Sequence, residues 1–311
     1  TNFLDDLNIA QKKAVKKTDG PVLIVAGPGS GKTRVITSRI AYLIQEQGVN
    51  PYNIAAVTFT NKAASEMKDR LSSMLGKNAE RVTARTFHSF CSMVLRREGG
   101  LVGLDTDFVI FDDNDQMETI KKAMKDLDID PKSFAPRNIL SRISNSKSQL
   151  IDSEKFISQK SNYYDEVVGR VFENYETTLS QSNAADFDDL LMKTQNLFLN
   201  NPDVLNKYQN RFVYLMVDEF QDTNIAQYSI AKQIASTHRN LCVVGDPDQS
   251  IYSWRNADIR NILSFRDDFP EATVVPLEEN YRSTQTILEG ARELISSNKE
   301  RVEKNLWTRN S

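Results

Sequence analysis

Cysteine and histidine are both scarce, at two residues each. Cys91 and Cys242 lie far apart and outside any metal-ligand spacing. That excludes a disulfide framework and a cysteine zinc site, and it fits a reducing compartment. His88 has no histidine partner nearby in sequence, because the other one is His238. A hydrogen-bonding role suits it better than metal ligation. Positive charge is not in excess: 39 Lys and Arg face 42 Asp and Glu, for a net charge of −3. No global basic field announces nucleic acid, so a nucleic-acid surface has to be a local stripe. No apolar run approaches the ~18 residues of a membrane span, and the N-terminal stretch lacks a signal-peptide core. These absences predict a soluble cytoplasmic protein with no membrane partner. Internal repeats and low-complexity tracts are also missing. The 311 residues suffice for about two or three domains.

What is present centres on Val22 to Arg34, VLIVAGPGSGKTR. Five apolar residues, Val22 to Ala26, read as a buried parallel strand. Gly27, Pro28, Gly29, Ser30 and Gly31 follow, and Lys32 and Thr33 open a helical pattern through Val35, Ile36, Ile40 and Leu43. Strand, glycine-rich loop, Lys-Thr and helix form a phosphate-binding loop in its confirming context. Glycines let successive N–H groups converge on one anion, and the helix N-terminus adds partial positive charge. Lys32 would reach β- and γ-phosphates, and Thr33 would place its hydroxyl on Mg²⁺. The pattern G-x-x-x-x-G-K-[ST] is not complete, since Ala26 stands where its first glycine belongs.

Upstream, Leu7, Asn8 and Gln11 sit near the start of a short helix ending near Gly20. An amide such as Gln11, placed before a nucleotide loop, has the donor and acceptor to read an adenine edge. Downstream, Ile54 to Phe59 reads as a second buried strand that ends in Thr58-Phe59-Thr60-Asn61-Lys62, with a helix beginning near Ala63. Parallel sheets place ligands at strand carboxyl ends. There, Phe59, Thr60, Asn61 and Lys62 suit base stacking and phosphate contact. An equally plain reading makes Phe59 core and Lys62 helix surface. Residues 82–90 repeat the theme, with a strand ending in Thr86-Phe87-His88-Ser89 and a helix through Arg97.

Between about Phe108 and Ala185 only helical spacings occur, in Met117, Ile120, Met124 and Leu127 and in Val167, Val168, Val171, Phe172 and Tyr175. This predicts an all-helical subdomain inserted into an α/β domain. The α/β pattern resumes with an acidic helix start at Asp186 and three more strands. Phe212–Val217 leads into Asp218-Glu219-Phe220-Gln221-Asp222, Leu241–Gly245 into Asp246-Pro247-Asp248-Gln249-Ser250, and Val274–Leu277 into Glu278-Glu279-Asn280-Tyr281-Arg282-Ser283. In a chain that already has a phosphate loop, Asp218 suits holding Mg²⁺ and Glu219 suits activating water. Gln249 suits sensing the γ-phosphate and Arg282 suits stabilising charge on it. Tyr252 and Trp254, two apart with Arg255 alongside, would form a stacking platform for single-stranded nucleic acid if extended. A buried aromatic pair is the alternative.

Taken in order, AGPGSGKTR, TFTNKAASEM, TFHSF, DFDDL, VDEFQDTN, VGDPDQSIYSWR and LEENYRST resemble the helicase motifs of the UvrD/Rep/PcrA group of superfamily 1 DNA helicases. The resemblance covers essentially the whole chain and accounts for Ala26, since that group commonly opens its loop with A-G. It implies a 3′→5′ single-stranded DNA translocase and DNA helicase driven by ATP hydrolysis with Mg²⁺. It implies a RecA-like parallel-sheet domain 1A (1–107 and 186–278), a helical domain 1B (108–185) and the start of a domain 2A (279–311). On matching positions it implies adenine contacts from Gln11, Arg34 and Tyr281, and phosphate or Mg²⁺ contacts from residues 26–33 and Asp218. It further implies Glu219 as catalytic base, and Gln249 and Arg282 at the γ-phosphate. Phe59, Thr60, Asn61, Lys62, Thr86, Phe87, His88, Tyr252, Trp254 and Arg255 would line the DNA track. Departures are Phe220 for Tyr, Asn256 for Gly and Arg85 for a small residue.

The resemblance also implies partners: single-stranded DNA and single-strand/duplex junctions, further helicase domains 2A and 2B, and accessory repair or replication proteins. The sequence reading expects an N-terminal motor half with weak ATPase or none when alone. The other readings are an ATP- and DNA-binding fragment without turnover and an unrelated P-loop kinase or ATPase.

Overall fold

The computed structural model describes residues 4–250, 257, 260–295 and 306–310. In chain order these form α1 (Ile9–Lys16), β1 (Val22–Ala26), α2 (Lys32–Gln45), β2 (Ile54–Thr58), α3 (Asn61–Leu75), β3 (Thr83–Thr86) and α4 (Phe87–Glu98). Then come β4 (Val109–Ile110), α5 (Asp113–Asp126), α6 (Pro136–Ser148), α7 (Ser153–Ser158), α8 (Tyr163–Gln181), β5 (Ala184–Ala185), α9 (Phe187–Asn200) and α10 (Pro202–Arg211). β6 (Tyr214–Val217), α11 (Ile225–Ala235), β7 (Leu241–Gly245), α12 (Arg260–Asp268), β8 (Thr273–Leu277), β9 (Glu279–Asn280), α13 (Gln285–Ile295) and β10 (Trp307–Thr308) follow. The chain divides into two compact units. One comprises Thr1–Phe87, Asn206–Thr223 and Ala231–Ser311, the other His88–Leu205 and Asn224–Ile230.

The first unit is built on a six-stranded sheet in the order β3-β2-β6-β7-β1-β8, with every pairing parallel. A parallel sheet is covered on both faces, so its inner strands are apolar along their whole length. β1 (VLIVA), β2 (IAAVT) and β7 (LCVVG) are buried at every position. β8 lies at the edge, where Pro276, which has no N–H to give, can be tolerated. The core gathers Ile24, Ala26, Ile54, Ala56, Met216 and Val244 with Val35, Ile36 and Ile40 of α2 and Met67 and Leu71 of α3. The acidic Asp218-Glu219 strand starts later than its sequence suggests, at Tyr214, and α3 starts earlier, at Asn61, because Thr60 Oγ1 accepts from Ala63 N (3.1 Å) and caps it.

Arg39 of α2 is 1 % exposed. Its guanidinium donates to Ala14 O (2.7 Å), Thr18 O (3.0 Å) and Lys17 O at the end of α1. Ala14 O is one of the carbonyls a helix end leaves without a helical partner, and Lys17 and Thr18 follow directly after the helix. The phosphate-loop helix thereby holds α1 by its C-terminus, while the Asn8/Gln11 capping box closes its N-terminus.

The second unit has a helical core of Ile120, Met124, Ile139, Ile143, Val168, Val171, Phe172 and Tyr175, on the faces the helical spacing marked. The inserted stretch is not wholly helical, which corrects the all-helical expectation. β4 and β5 pair in parallel, Val109 with Ala184 and Ile110 with Ala185. Phe111 N donates to Ala185 O (2.9 Å). Two-residue strands carry no alternation signal, so periodicity could not reveal them.

The DFDDL acidic start has a structural cause. Lys147 of α6 is 0 % exposed, and its Nζ donates to Asp186 Oδ2 (2.8 Å) and Asp189 Oδ1 (2.9 Å). Tyr175 OH donates to the same Asp186 oxygen (2.9 Å). Burial alone would lower the Lys147 pKa, but the two carboxylates more than reverse it, and the ammonium stays charged. No helix among the described residues is long and apolar enough to cross a membrane.

Lys147→Met is expected to destabilise the protein by about 3–5 kcal/mol, because it strands two buried carboxylates without a counter-ion. Urea unfolding at pH 8 measures the loss. It should shrink in acid, where Asp186 and Asp189 take up protons.

Candidate nucleotide site at the sheet edge

Parallel strands bring their carboxyl ends to one edge, and the edge of the first unit carries the residues singled out above. Gly29 (φ +66°) and Gly31 (φ +83°) adopt the left-handed conformation that lets the loop after β1 curl, a region costly for side-chain-bearing residues. A Cβ on Gly29 would lie 2.8 Å from Arg282 Cβ and 2.9 Å from Asn280 Nδ2, so that position is closed to any larger residue. Gly31 caps α2 without a side-chain hydrogen bond, and the first turn holds no acidic residue. The helix start is left open to an anion. Gly27 N donates to Leu277 O (3.1 Å) and Ser30 Oγ to Gly27 O (2.7 Å), which fixes the loop against the end of β8. Ala26 is fully buried as the last residue of β1, and Pro28 presents its carbonyl to Asn280 Nδ2.

Opposite the loop lies the end of β6. Lys32 Nζ donates to Glu219 Oε2 at 2.8 Å. Thr33 Oγ1 lies 3.3 Å from Asp218 Oδ2. Glu219 itself is left-handed (φ +49°), a strained conformation for a residue with a Cβ, and its N–H turns back onto Asp218 Oδ1 (2.9 Å). Asp218 is 3 % exposed, and its carboxyl is pushed up to about 6 by burial and then by the neighbouring Glu219 charge, against the pull of Lys32. Asp222 is pushed up to about 7 by burial and then by Glu219. Three acidic groups thus share one cation. A hydroxyl and a carboxylate in hydrogen-bond range are hard oxygen ligands suited to Mg²⁺ that keeps waters and phosphate oxygens in its remaining positions.

The base-side candidates also converge. Gln11 is 1 % exposed, with Nε2 on Ser30 O (3.0 Å) and Oε1 accepting Asn8 N (3.0 Å). Its amide is therefore turned inward, with one proton and one lone pair uncommitted to those partners. Asn8 Nδ2 donates to Glu279 Oε2 (2.9 Å) and Tyr281 OH (2.8 Å), and Tyr281 OH donates to Glu279 Oε2 (2.8 Å). Tyr281 is 46 % exposed, and its backbone N–H holds Gly29 O (3.0 Å). Arg34 is half-buried and pairs with Asp6 at 3.6 Å. Arg282 is exposed, its N–H held by Asn280 Oδ1 (2.8 Å). Gln249 is half-buried and donates to Asp246 Oδ2 (2.6 Å).

The DNA-track candidates divide. At the end of β2, Phe59 is half-buried and Thr60, Asn61 and Lys62 are exposed. At the end of β3, Thr86 and Phe87 are 7 % and 4 % exposed, so they are packed rather than presented. In the second unit His88 packs edge-on against Phe187 (5.8 Å), and burial lowers its pKa, leaving it neutral near pH 7. Tyr252, Trp254 and Arg255 lie outside the described residues. Among the described residues no group of His, Cys, Asp or Glu is arranged to hold a metal on its own, so Thr33 and Asp218 would need the nucleotide as co-ligand.

Sequence reasoning missed Asn8, Gln221, Glu279 and Asn280. Asn8 carried a signal, the capping spacing to Gln11. Gln221, Glu279 and Asn280 each add one partner distant in sequence, Asp246, Asn8 and Pro28 respectively, that no local pattern shows.

Residues 7–270 match the UvrD/REP helicase N-terminal domain. The chain is 53 % identical over 308 residues to the ATP-dependent DNA helicase PcrA of Bacillus subtilis, covering 99 % of this chain and 42 % of that protein. Against the protein of the same name from Staphylococcus aureus it is 52 % identical over 309 residues, with the same coverages. From Staphylococcus epidermidis the figure is 51 %. The chain thus spans about two fifths of the length of these relatives.

Asp222→Asn is expected to stabilise the protein at pH 8 and to have no effect at pH 4. The folded-state pKa exceeds the unfolded one, so the parent loses stability as pH rises from about 4 to about 7. The full difference is at most about 4 kcal/mol, less wherever water reaches the carboxyl. Melting temperatures of both proteins across this pH range check it.

Proposed function

We propose, for a chain that belongs to the UvrD/REP helicase family, that the sheet edge of its first unit binds and hydrolyses ATP with Mg²⁺. Hydrolysis would drive 3′→5′ movement along single-stranded DNA and opening of duplex at junctions. We assign residues 1–107 and 186–278 to a RecA-like domain 1A, 108–185 to domain 1B and 279–311 to the beginning of a domain 2A. The observation that carries the reading is the pairing across the edge, Lys32 on Glu219 and Thr33 against Asp218. A lysine parked on the general base is available to a phosphate that competes for it.

In this account Lys32 transfers from Glu219 to the β- and γ-phosphates, and the N–H groups of Gly29 to Thr33 cradle them. Thr33 and Asp218 would hold Mg²⁺, which would supply positive charge against the phosphates. Glu219, released by Lys32, accepts a proton from the water that attacks the γ-phosphorus. The bond to the β–γ bridging oxygen breaks, and ADP and inorganic phosphate are the products. Gln249 and Arg282 face the γ-phosphate. Gln11 turns its remaining donor and acceptor toward adenine, and Arg34 and Tyr281 flank the ring. Phe59, Thr60, Asn61 and Lys62 contact the DNA strand, together with Tyr252, Trp254 and Arg255. Thr86, Phe87 and His88 are assigned to DNA contact as well.

Lys32→Ala is expected to abolish binding of a fluorescent ATP analogue while single-stranded DNA affinity persists. Phe59→Ala is expected to do the reverse, weakening DNA by about 1–3 kcal/mol, the worth of one stacked base. Equilibrium titrations of both variants measure this. Nucleotide binding that survives Lys32→Ala contradicts the assignment of the loop.

A further inference from the structure

Gln221 is named by none of the roles above, yet it lies between them. It is 1 % exposed. Its Nε2 donates to Glu219 Oε2 (2.8 Å) and to Asp222 Oδ2 (3.3 Å), and its Oε1 accepts Asp246 N (3.0 Å). The orientation of the amide is forced. Two carboxylates face one end, where only NH₂ can serve, and a backbone N–H faces the other, where only the oxygen can. Gly245, just before Asp246, lies close against the amide: a Cβ there would come 2.9 Å from Gln221 Oε1 and press on it.

The contacts continue on both sides. Glu219 Oε2 also accepts Lys32 Nζ (2.8 Å). Asp246 Oδ1 accepts Asp248 N (3.0 Å), and its Oδ2 accepts Gln249 Nε2 (2.6 Å). Ser250 Oγ returns to Gln221 O (3.4 Å). An unbroken hydrogen-bonded path therefore runs from the phosphate-loop lysine through Glu219, Gln221 and Asp246 to Gln249. In sequence, Gln249 and Ser250 lead directly into Ile251-Tyr252-Ser253-Trp254.

We propose that Gln221 is the positioning residue that couples the nucleotide site to the DNA-contacting segment after Ser250, by tying the Glu219 carboxylate to the Asp246 turn. This rests on the function proposed above. When phosphate takes Lys32 away, Glu219 keeps Gln221 as its remaining partner on that oxygen. Any shift of the carboxylate then pulls the amide, and the amide pulls the Asp246 N–H at its other end. Rotating the amide cannot relieve the pull, because rotation would set its NH₂ against an N–H and its oxygen against two carboxylates.

The test measures affinity of the 311-residue chain for a single-stranded oligonucleotide with and without Mg²⁺ and a non-hydrolysable ATP analogue. The parent should show a coupling factor of about 5-fold or more. Gln221→Met, similar in length but without the amide, should bring that factor to about one while nucleotide and DNA affinities measured separately stay near parental values. Gly245→Ala, which crowds the amide from the other side, should also reduce it and serves if Gln221→Met does not fold. Urea midpoints report any general loss of structure. A parental coupling factor in both variants overturns the proposal, as does a parent that binds both ligands without coupling. A parent that binds neither ligand overturns the proposed function itself, and this inference with it.

Discussion

One geometric constraint governs the first unit. All six strands are parallel, so the segments that follow them emerge at one edge. The phosphate loop follows β1 and Asp218-Glu219 follows β6; β7, which pairs with both strands, lies between them. Lys32 and Glu219, 187 positions apart in sequence, meet at 2.8 Å for that reason.

The electrostatics of the edge are deliberately unbalanced. Asp218, Glu219 and Asp222 share Lys32, and two of the three carboxyls are pushed up toward neutral pH. The second unit resolves the opposite situation: Lys147, with no exposure at all, is balanced by Asp186 and Asp189 and bonded through them to Tyr175. One cluster has the composition of a structural strut. The other carries surplus negative charge that a divalent cation would offset.

The α/β class, the places of the sheet strands along the chain and the central helical faces were legible because parallel strands and amphipathic helices write simple periods into sequence, whereas the order of the strands in the sheet was not. The phosphate loop was legible because strand, glycines and Lys-Thr stand together within one short stretch. The pair β4 and β5 was not, since two residues make no pattern. Gln11 was singled out as an adenine reader, but its burial and its bond to Ser30 O depend on where α1 lies, which Arg39 fixes from α2. Glu279 and Asn280 were visible only as part of a motif string. Their work, holding Asn8 and Tyr281 on one side and the loop carbonyl of Pro28 on the other, belongs to tertiary structure. Gln221 reads in sequence as an ordinary polar residue beside two acids; only the approach of β7 gives its oxygen a partner.

The central claim is that the Lys32–Glu219 ion pair is what the nucleotide displaces. A crystal structure of this chain with Mg²⁺ and a non-hydrolysable ATP analogue tests it most directly. The account predicts Lys32 Nζ on the phosphate oxygens, Glu219 freed of it and still held by Gln221, and the cation against Thr33 and Asp218. Phosphates bound at the loop while Lys32 remains on Glu219 would contradict it.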